Sequence, residues 1–570
     1  MANETKWSKL QQATRVEELE QAKTIEQASR LWLARLRPAL LPILIALGVL
    51  LPIGYLLLEL LTPSVALWQQ LWGTILPPML RNTLVLAIGV GLGTLVLGAG
   101  LAWLVAAYEF PGRALFERLL LLPLAMPSYI LAFVYLANFD FAGPVQAAWR
   151  RWLGPQMWFP DIYGAHGAIL VMTLVLYPYV YILARAAFYD QSAHTIEAAR
   201  MMGLNRLQAF IYVVLPMARP SLAAGMILAI MEAMTDFATV SFLSFPTLSE
   251  GVVRIWTIRM DREAATEVAS LLLLLALILI IVERASRREQ RYFQQHGATR
   301  QMARIRLKAG ERWIATLMCS VVLALAFVLP VLQLGWWASE RLADIPVSFW
   351  QQVFNRYVSN TILLATAAAS LTMVLSLLLV QGSRLTQGRV ARVAAYLATL
   401  GYAMPGAVVA AGILILTSQL GSIFNETFAG WGLRLATTGS VGLLIYAYVV
   451  RYMAVAFNSV DASMDKITPS MAQTARTLGV RPLGVLWRIH LPLIRGGVLA
   501  GMLLVFVDVM KELPATLLLR PFGMDTLAVW TYVAAAESFW EEAAIPSLMI
   551  LLVGLLPVLI LMRLGDANRN

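Results

Sequence analysis

Only 14% of the 570 residues are charged, four are histidine and one is cysteine. Each scarcity excludes something. A single cysteine, Cys319, permits no disulfide framework and no cysteine-based metal site within the chain, and the four histidines stand at no ligand spacing. His490, beside Leu491 and Pro492, reads as a solvated loop residue. No Gly-x-x-x-x-Gly-Lys-Ser/Thr run is present to cradle a nucleotide phosphate, and no nucleophile, acid and base cluster stands out. No apolar core precedes Ala39, so the stretch holding Val16, Leu19, Ala22, Ile25, Ala28 and Leu31 reads as an amphipathic interfacial helix rather than a cleaved signal.

What the chain has in abundance is apolar surface. Hydrophobic residues make up 59% of it, and the mean hydropathy is +0.71. That composition predicts an all-α integral membrane protein, because a soluble globule of this size carries far more charge. At roughly 20 residues per crossing, the apolar runs divide into about twelve spans, near 39–61, 82–107, 119–137, 167–188, 221–243, 266–283, 313–335, 359–381, 393–417, 437–457, 498–519 and 544–563. Basic residues cluster in the N-terminal tail (Lys6, Lys9, Arg15, Lys23, Arg30) and in the central stretch (Arg284, Arg287, Arg288, Arg291, Arg304, Lys308). Even crossing numbers put both on one side, which the positive-inside rule makes cytoplasmic. The net charge of +11 flanks spans without interleaved aromatics, so anionic headgroups rather than nucleic acid are the expected neighbours.

The sequence repeats itself. Asn82 and Thr83 recur as Asn360 and Thr361, and Ala125, Met126 and Pro127 as Ala403, Met404 and Pro405, at an offset of 278. The chain therefore divides into a cytoplasmic N-terminal segment (1–38), a first half (39–283), a basic linker (284–312) and a second half (313–570). Six crossings per half is an even number, so the halves are predicted to be parallel, with the substrate route between them. Gly89, Gly91, Gly93, Gly98 and Gly100 sit in one apolar span and read as close helix packing.

Each half also carries one polar loop between apolar stretches. The first holds Glu197, Ala198, Ala199, Gly203, Leu215 and Pro216. The second holds Gln473, Thr474, Ala475, Gly479, Leu491 and Pro492, at an offset of 276. Thr468 is a good N-cap, Pro469 suits the first helical position, and Gly479 can take the left-handed conformation that closes a helix. A helix is expected from about Pro469 to Leu478, with Pro492 breaking the chain before the next span. A duplicated helix-turn-helix outside the bilayer implies a duplicated soluble partner.

The spacing Glu-Ala-Ala, three residues, Gly, nine residues, Ile or Val, one residue, Leu-Pro resembles the signature of binding-protein-dependent ABC importer permeases. The second copy departs from it at Gln473 and Thr474. Leu176-Tyr-Pro-Tyr-Val-Tyr181, Thr235-Asp-Phe-Ala-Thr-Val240 and Lys511-Glu-Leu-Pro-Ala-Thr516 resemble the fused ferric-iron importers within that family. The resemblance implies a permease subunit, not an enzyme, in a bacterial inner membrane. It further implies a periplasmic binding protein that delivers ferric ion and a homodimeric cytoplasmic ATPase, gripped by the two loops, that binds ATP and magnesium. No cofactor and no tightly bound metal are implied for this chain. Fused permeases for thiamine or a phosphonate resemble it too, and an ATP-independent secondary transporter is the alternative of another class.

Four carboxylates lie inside predicted spans. Glu232 and Asp236, one helical turn apart, recur as Asp508 and Glu512. Glu232 is eleven residues beyond Ser221, roughly 16 Å into its span at 1.5 Å per residue. Charge at that depth faces a protein interior or a wet cavity. Two roles fit the quartet. The four could face one another across the pseudo-twofold as hard oxygen atoms lining a cation's route. They could instead pair with Lys511 or hydroxyls and hold the halves together.

Overall fold

The computed structural model describes residues 40–567 apart from 62–63, 155, 191–200, 291–303, 343–345, 387–388, 428–438, 466 and 481. The expected N-terminal helix, together with Glu197, Ala198 and Ala199, lies outside the described residues. Among the described residues, twelve helical segments are long and apolar enough to cross a membrane: α1 (Leu40–Leu61), α2 (Leu76–Ala107), α3 (Ser128–Leu153), α4 (Ala165–Tyr189), α5 (Phe210–Thr235), α6 (Arg262–Glu283), α7 (Ala309–Leu342), α8 (Ser348–Arg384), α9 (Gly406–Thr427), α10 (Val441–Met464), α11 (Leu486–Met510) and α12 (Trp540–Ile560). Helices dominate for a physical reason: in hydrocarbon each backbone donor must be satisfied within its own segment.

Several boundaries depart from the sequence reading. α3 is interrupted at Asp140–Gly143, after which Pro144–Leu153 forms an amphipathic helix with no buried residue. The third crossing is instead assembled from Arg113–Leu119, a 3-10 turn at Leu122–Ala125 and a helix starting at Ser128. Its repeat is Arg389–Leu397, Leu400–Ala403 and a helix starting at Gly406, so Pro127 and Pro405 stand at the same break. α5 and α11 begin about a dozen residues before the expected spans. Pro216 and Pro492 do not break the chain, because a π-helical turn precedes each, at Phe210–Val214 and Leu486–His490. Wider i→i+5 pairing, as in Leu215 N–H to Phe210 O, absorbs the local irregularity that a proline without a donor imposes.

The chain packs as two compact units. One falls within Met1–Leu51, Ser370–Gly401 and Tyr452–Met502, the other within Pro52–Ala369, Tyr402–Arg451 and Leu503–Asn570. They do not coincide with the two sequence halves, whose boundary at 284–312 rests on the repeat. In the smaller unit Arg384 Nη2 lies 2.6 Å from both Asp461 Oδ1 and Asp465 Oδ1. His490 is not solvated as expected: it is buried, and its Nδ1 pairs with Gln381 Oε1 at 3.0 Å, because the π-helical turn aims it inward.

In the larger unit the glycines of α2 permit close helix contacts. A Cβ at Gly98 would come within 2.8 Å of Tyr177 O and Val180 Cβ, and one at Gly93 would meet Thr173. Gly89 faces Ile169 in the same way, and Gly91 faces Ile230 of α5. Gly100 borders open space and takes no part in this packing. The fully buried Tyr177 and Tyr181 donate to Leu120 O and Glu117 O at 2.8 and 3.0 Å, satisfying carbonyls at the end of the Arg113–Leu119 helix. The linker joins this unit through a short parallel bridge, Tyr108–Glu109 with Ile305–Arg306.

Overpacking a tight contact costs about 1–3 kcal/mol. Gly98→Leu should therefore lower the melting temperature of the purified permease by several degrees, while Gly100→Ala should leave it unchanged or slightly raised. Equal effects at the two positions would contradict this packing.

Candidate functional site

The second polar loop is built as its sequence predicts. Pro469–Thr477 is helical, Gly479 takes φ +80°, and Val480 N–H reaches back to Ala475 O at 3.0 Å. That pairing closes a helix through a left-handed residue, which glycine adopts without a Cβ clash. In the first loop Gly203 takes φ +88°. Asn205 and Gln208 then cap the next turn reciprocally, each backbone N–H meeting the other's side-chain oxygen at 3.0 and 2.8 Å. Large apolar side chains stand out at matched positions beside the glycines: Met202 is 82% exposed and Leu478 is 78% exposed.

An ionic clamp holds the helix that leads into each loop. At the end of α4, Arg185 and Tyr189 reach Glu117, a buried carboxylate that also pairs with Arg113 at 3.1 Å. At the end of α10, Asp461 and Asp465 share Arg384. The polarity is reversed: the loop-side helix carries the cation in the first half and the anions in the second.

The intramembrane carboxylates divide into two kinds. α5 ends at Thr235, where Asp236 leaves the helical region, and a new helix runs Ala238–Phe242. α11 ends at Met510, and a new helix runs Pro514–Leu519. Glu232 and Asp236 therefore do not share one continuous helical face, nor do Asp508 and Glu512. Asp236 accepts from Thr239 N–H at 3.0 Å and from the hydroxyls of Thr239 and Ser128. Glu512 accepts from Ala515 N–H and Thr516 N–H, each at 3.0 Å, and from Arg451 Nη1 at 3.2 Å. Both serve as N-caps for helices restarting inside the protein. The halves exchange volume here: where the first has Ser128 and the shorter Asp236, the second has Gly406 and the longer Glu512. A Cβ at Gly406 would collide with Glu512 Oε1 and Arg451 Nη1.

Glu232 and Asp508 lie in the last turns of α5 and α11. Asp508 Oδ1 lies 3.0 Å from Lys511 Nζ. The Glu232 side chain makes no hydrogen bond or salt bridge among the described residues, yet Asp508, Lys511 and Arg451 all act on it electrostatically. Tyr179 and Tyr402 lie within electrostatic reach of both carboxylates, and Tyr129 within reach of Asp236 and Glu512. Two cations, Arg451 and Lys511, thus stand against four carboxylates in this region, a formal net charge of −2.

Arg451 escaped the sequence reading, although a lone arginine in the apolar run Val441–Met464 was a visible signal. Aligned on Tyr179 and Tyr448, its first-half counterpart is Ile182, and the counterpart of Lys511 is Thr235. Both cations therefore come from the second half.

The family described as binding-protein-dependent transport system inner membrane component matches residues 98–291. Over 527 residues, 92% of this chain and 97% of the relative, the sequence is 25% identical to the Fe(3+)-transport system permease protein FbpB 2 of Haemophilus influenzae. It is 28% identical to the sulfate transport system permease protein CysT of Escherichia coli over 204 residues, 35% of this chain and 71% of the relative. It is 29% identical to the molybdenum transport system permease protein ModB of Escherichia coli over 152 residues, 26% of this chain and 65% of the relative. With twelve apolar helices among the described residues, a repeat running through both halves and this likeness along nearly its whole length, the chain is a fused, multi-pass inner-membrane component similar to the permease subunits of ABC importers, whose ATPase is a separate chain.

Proposed function

We propose that this permease carries ferric ion from a periplasmic binding protein to the cytoplasm, driven by two copies of a cytoplasmic ATPase seated on the two polar loops. The sign of the intramembrane cluster carries this reading. Two unit charges 4 Å apart interact by about 4 kcal/mol at an effective dielectric of 20. A net excess of carboxylates, with Glu232 free of any ion pair among the described residues, therefore favours a hard cation and disfavours an oxyanion. Among the relatives, that sign agrees with the ferric permease rather than the sulfate and molybdenum ones. Exposed Met202 and Leu478 beside left-handed glycines support the loops as docking elements, since each offers an apolar side chain to a soluble partner. ATP and magnesium then belong to the partner, and this chain holds no cofactor.

Proteoliposomes containing the permease, its ATPase and the loaded binding protein should take up radioactive ferric ion only when ATP and all three components are present. Stimulated ATP hydrolysis without iron uptake would refute the ferric reading. Uptake of labelled thiamine or of sulfate in its place would name the substrate class. Glu232→Gln should slow iron uptake about tenfold or more, the effect of a change of roughly 1.4 kcal/mol or more, while the ATPase stays coupled.

Adding a Cβ at a left-handed position costs about 1–2 kcal/mol. Gly203→Val and Gly479→Val should therefore each lower the affinity for the ATPase at least several-fold while leaving the melting temperature of the spans in place. Wild-type association and uptake in both variants would overturn the docking role.

A further inference from the structure

Lys511 stands at a position that neither a packing nor a capping role explains. It is the first residue after α11, in the turn before Pro514, and its neighbour Glu512 is locked by two backbone donors and Arg451. Its backbone is therefore anchored while its four-carbon stem is not. Its ammonium lies 3.0 Å from Asp508, with both side chains partly exposed, at 32% and 24%. Glu232, from the first half, acts on the same ammonium. In the first half the matching residue is Thr235, whose hydroxyl turns back onto Glu232 O at 2.9 Å. One lysine thus serves two carboxylates, one from each half.

Arg451 also acts on Glu232, but it is held elsewhere. Its guanidinium faces Glu512, whose side chain is 1% exposed, so it belongs to the locked part of the cluster. Lysine is a compact point charge on a flexible stem, whereas arginine's fork is held by its geometry.

We propose that Lys511 is a tethered counter-cation that sets the permease's selectivity: it sits between Asp508 and Glu232 when no substrate passes, and a trivalent metal cation displaces it. A monovalent ion replacing the ammonium gains no charge, and the lysine, held on its own stem, always returns at high effective concentration. A trivalent ion is attracted to the same two carboxylates three times as strongly at equal distance, since Coulomb energy scales with charge. Displacement therefore discriminates by valence. Because the ammonium rebinds once the metal moves on, the site releases its cargo as a conducting path must. This inference rests on the ferric reading above.

The test uses the complete transporter in proteoliposomes, with ferric-loaded binding protein and free Mn2+ outside, and reads iron and manganese entry during ATP turnover. Wild type should admit iron and exclude manganese. Lys511→Met, which keeps the stem and removes the charge, should raise the Mn2+ to Fe3+ ratio at least tenfold, and Lys511→Arg should restore most of the exclusion. If Lys511→Met fails to fold, the double variant Lys511→Met, Asp508→Asn removes the pair together and should show the same loss of selectivity. A wild-type ratio in whichever of these variants folds, with iron uptake intact, overturns the proposal and leaves the ferric reading standing. Equal manganese entry in Lys511→Met and Lys511→Arg overturns it as well. Absence of ATP-driven iron uptake by the wild type overturns both.

Discussion

A helix that stops inside a bilayer leaves backbone donors that no water can satisfy, and this chain stops two of its helices there on purpose. α5 ends at Thr235 and α11 at Met510, and in each case a carboxylate at the break accepts the first N–H groups of the helix that follows. The remaining features of the intramembrane site depend on that arrangement. Asp236 and Glu512 are occupied as caps, while Asp508 pairs with Lys511 and Glu232 feels both cations electrostatically. The irregular backbone also places Lys511 within 3.0 Å of Asp508.

The two halves solve one geometric problem with different atoms. Ser128 with Asp236, and Gly406 with Glu512, fill similar space by moving one side chain's bulk to its partner. Ile182 and Thr235 give way to Arg451 and Lys511, which concentrate both cations in the second half. A duplicated chain in one polypeptide is free to diverge in this way, whereas two identical subunits would repeat every charge. The ionic clamps beside the loops show the same freedom, with Arg185 facing Glu117 in one half and Asp461 with Asp465 facing Arg384 in the other.

Periodic and compositional features are legible in the sequence alone. The number of spans, the Pro127 and Pro405 repeat, the glycines of α2 and the Gly479 cap each rest on local rules, in which a residue's own chemistry limits its backbone. Local rules misled where long-range contacts compete with them. Pro492 reads as a break, yet a π-helical turn carries the helix through it. His490 reads as solvated, yet that same turn buries it against Gln381. Glu232 and Asp236 have the spacing of one helical face, yet the capping demand of Ala238–Phe242 ends the helix between them.

The sequence by itself determined that this is a twelve-span membrane protein of two parallel repeats with a matched pair of polar loops, because hydropathy, length and turn chemistry act over neighbouring residues. Which carboxylates cap a helix, and which cation faces each of them, only the tertiary structure decided. Those roles depend on residues from 128 to 512 meeting in one buried place of low dielectric, where a partner's distance rather than its position along the chain sets the energy.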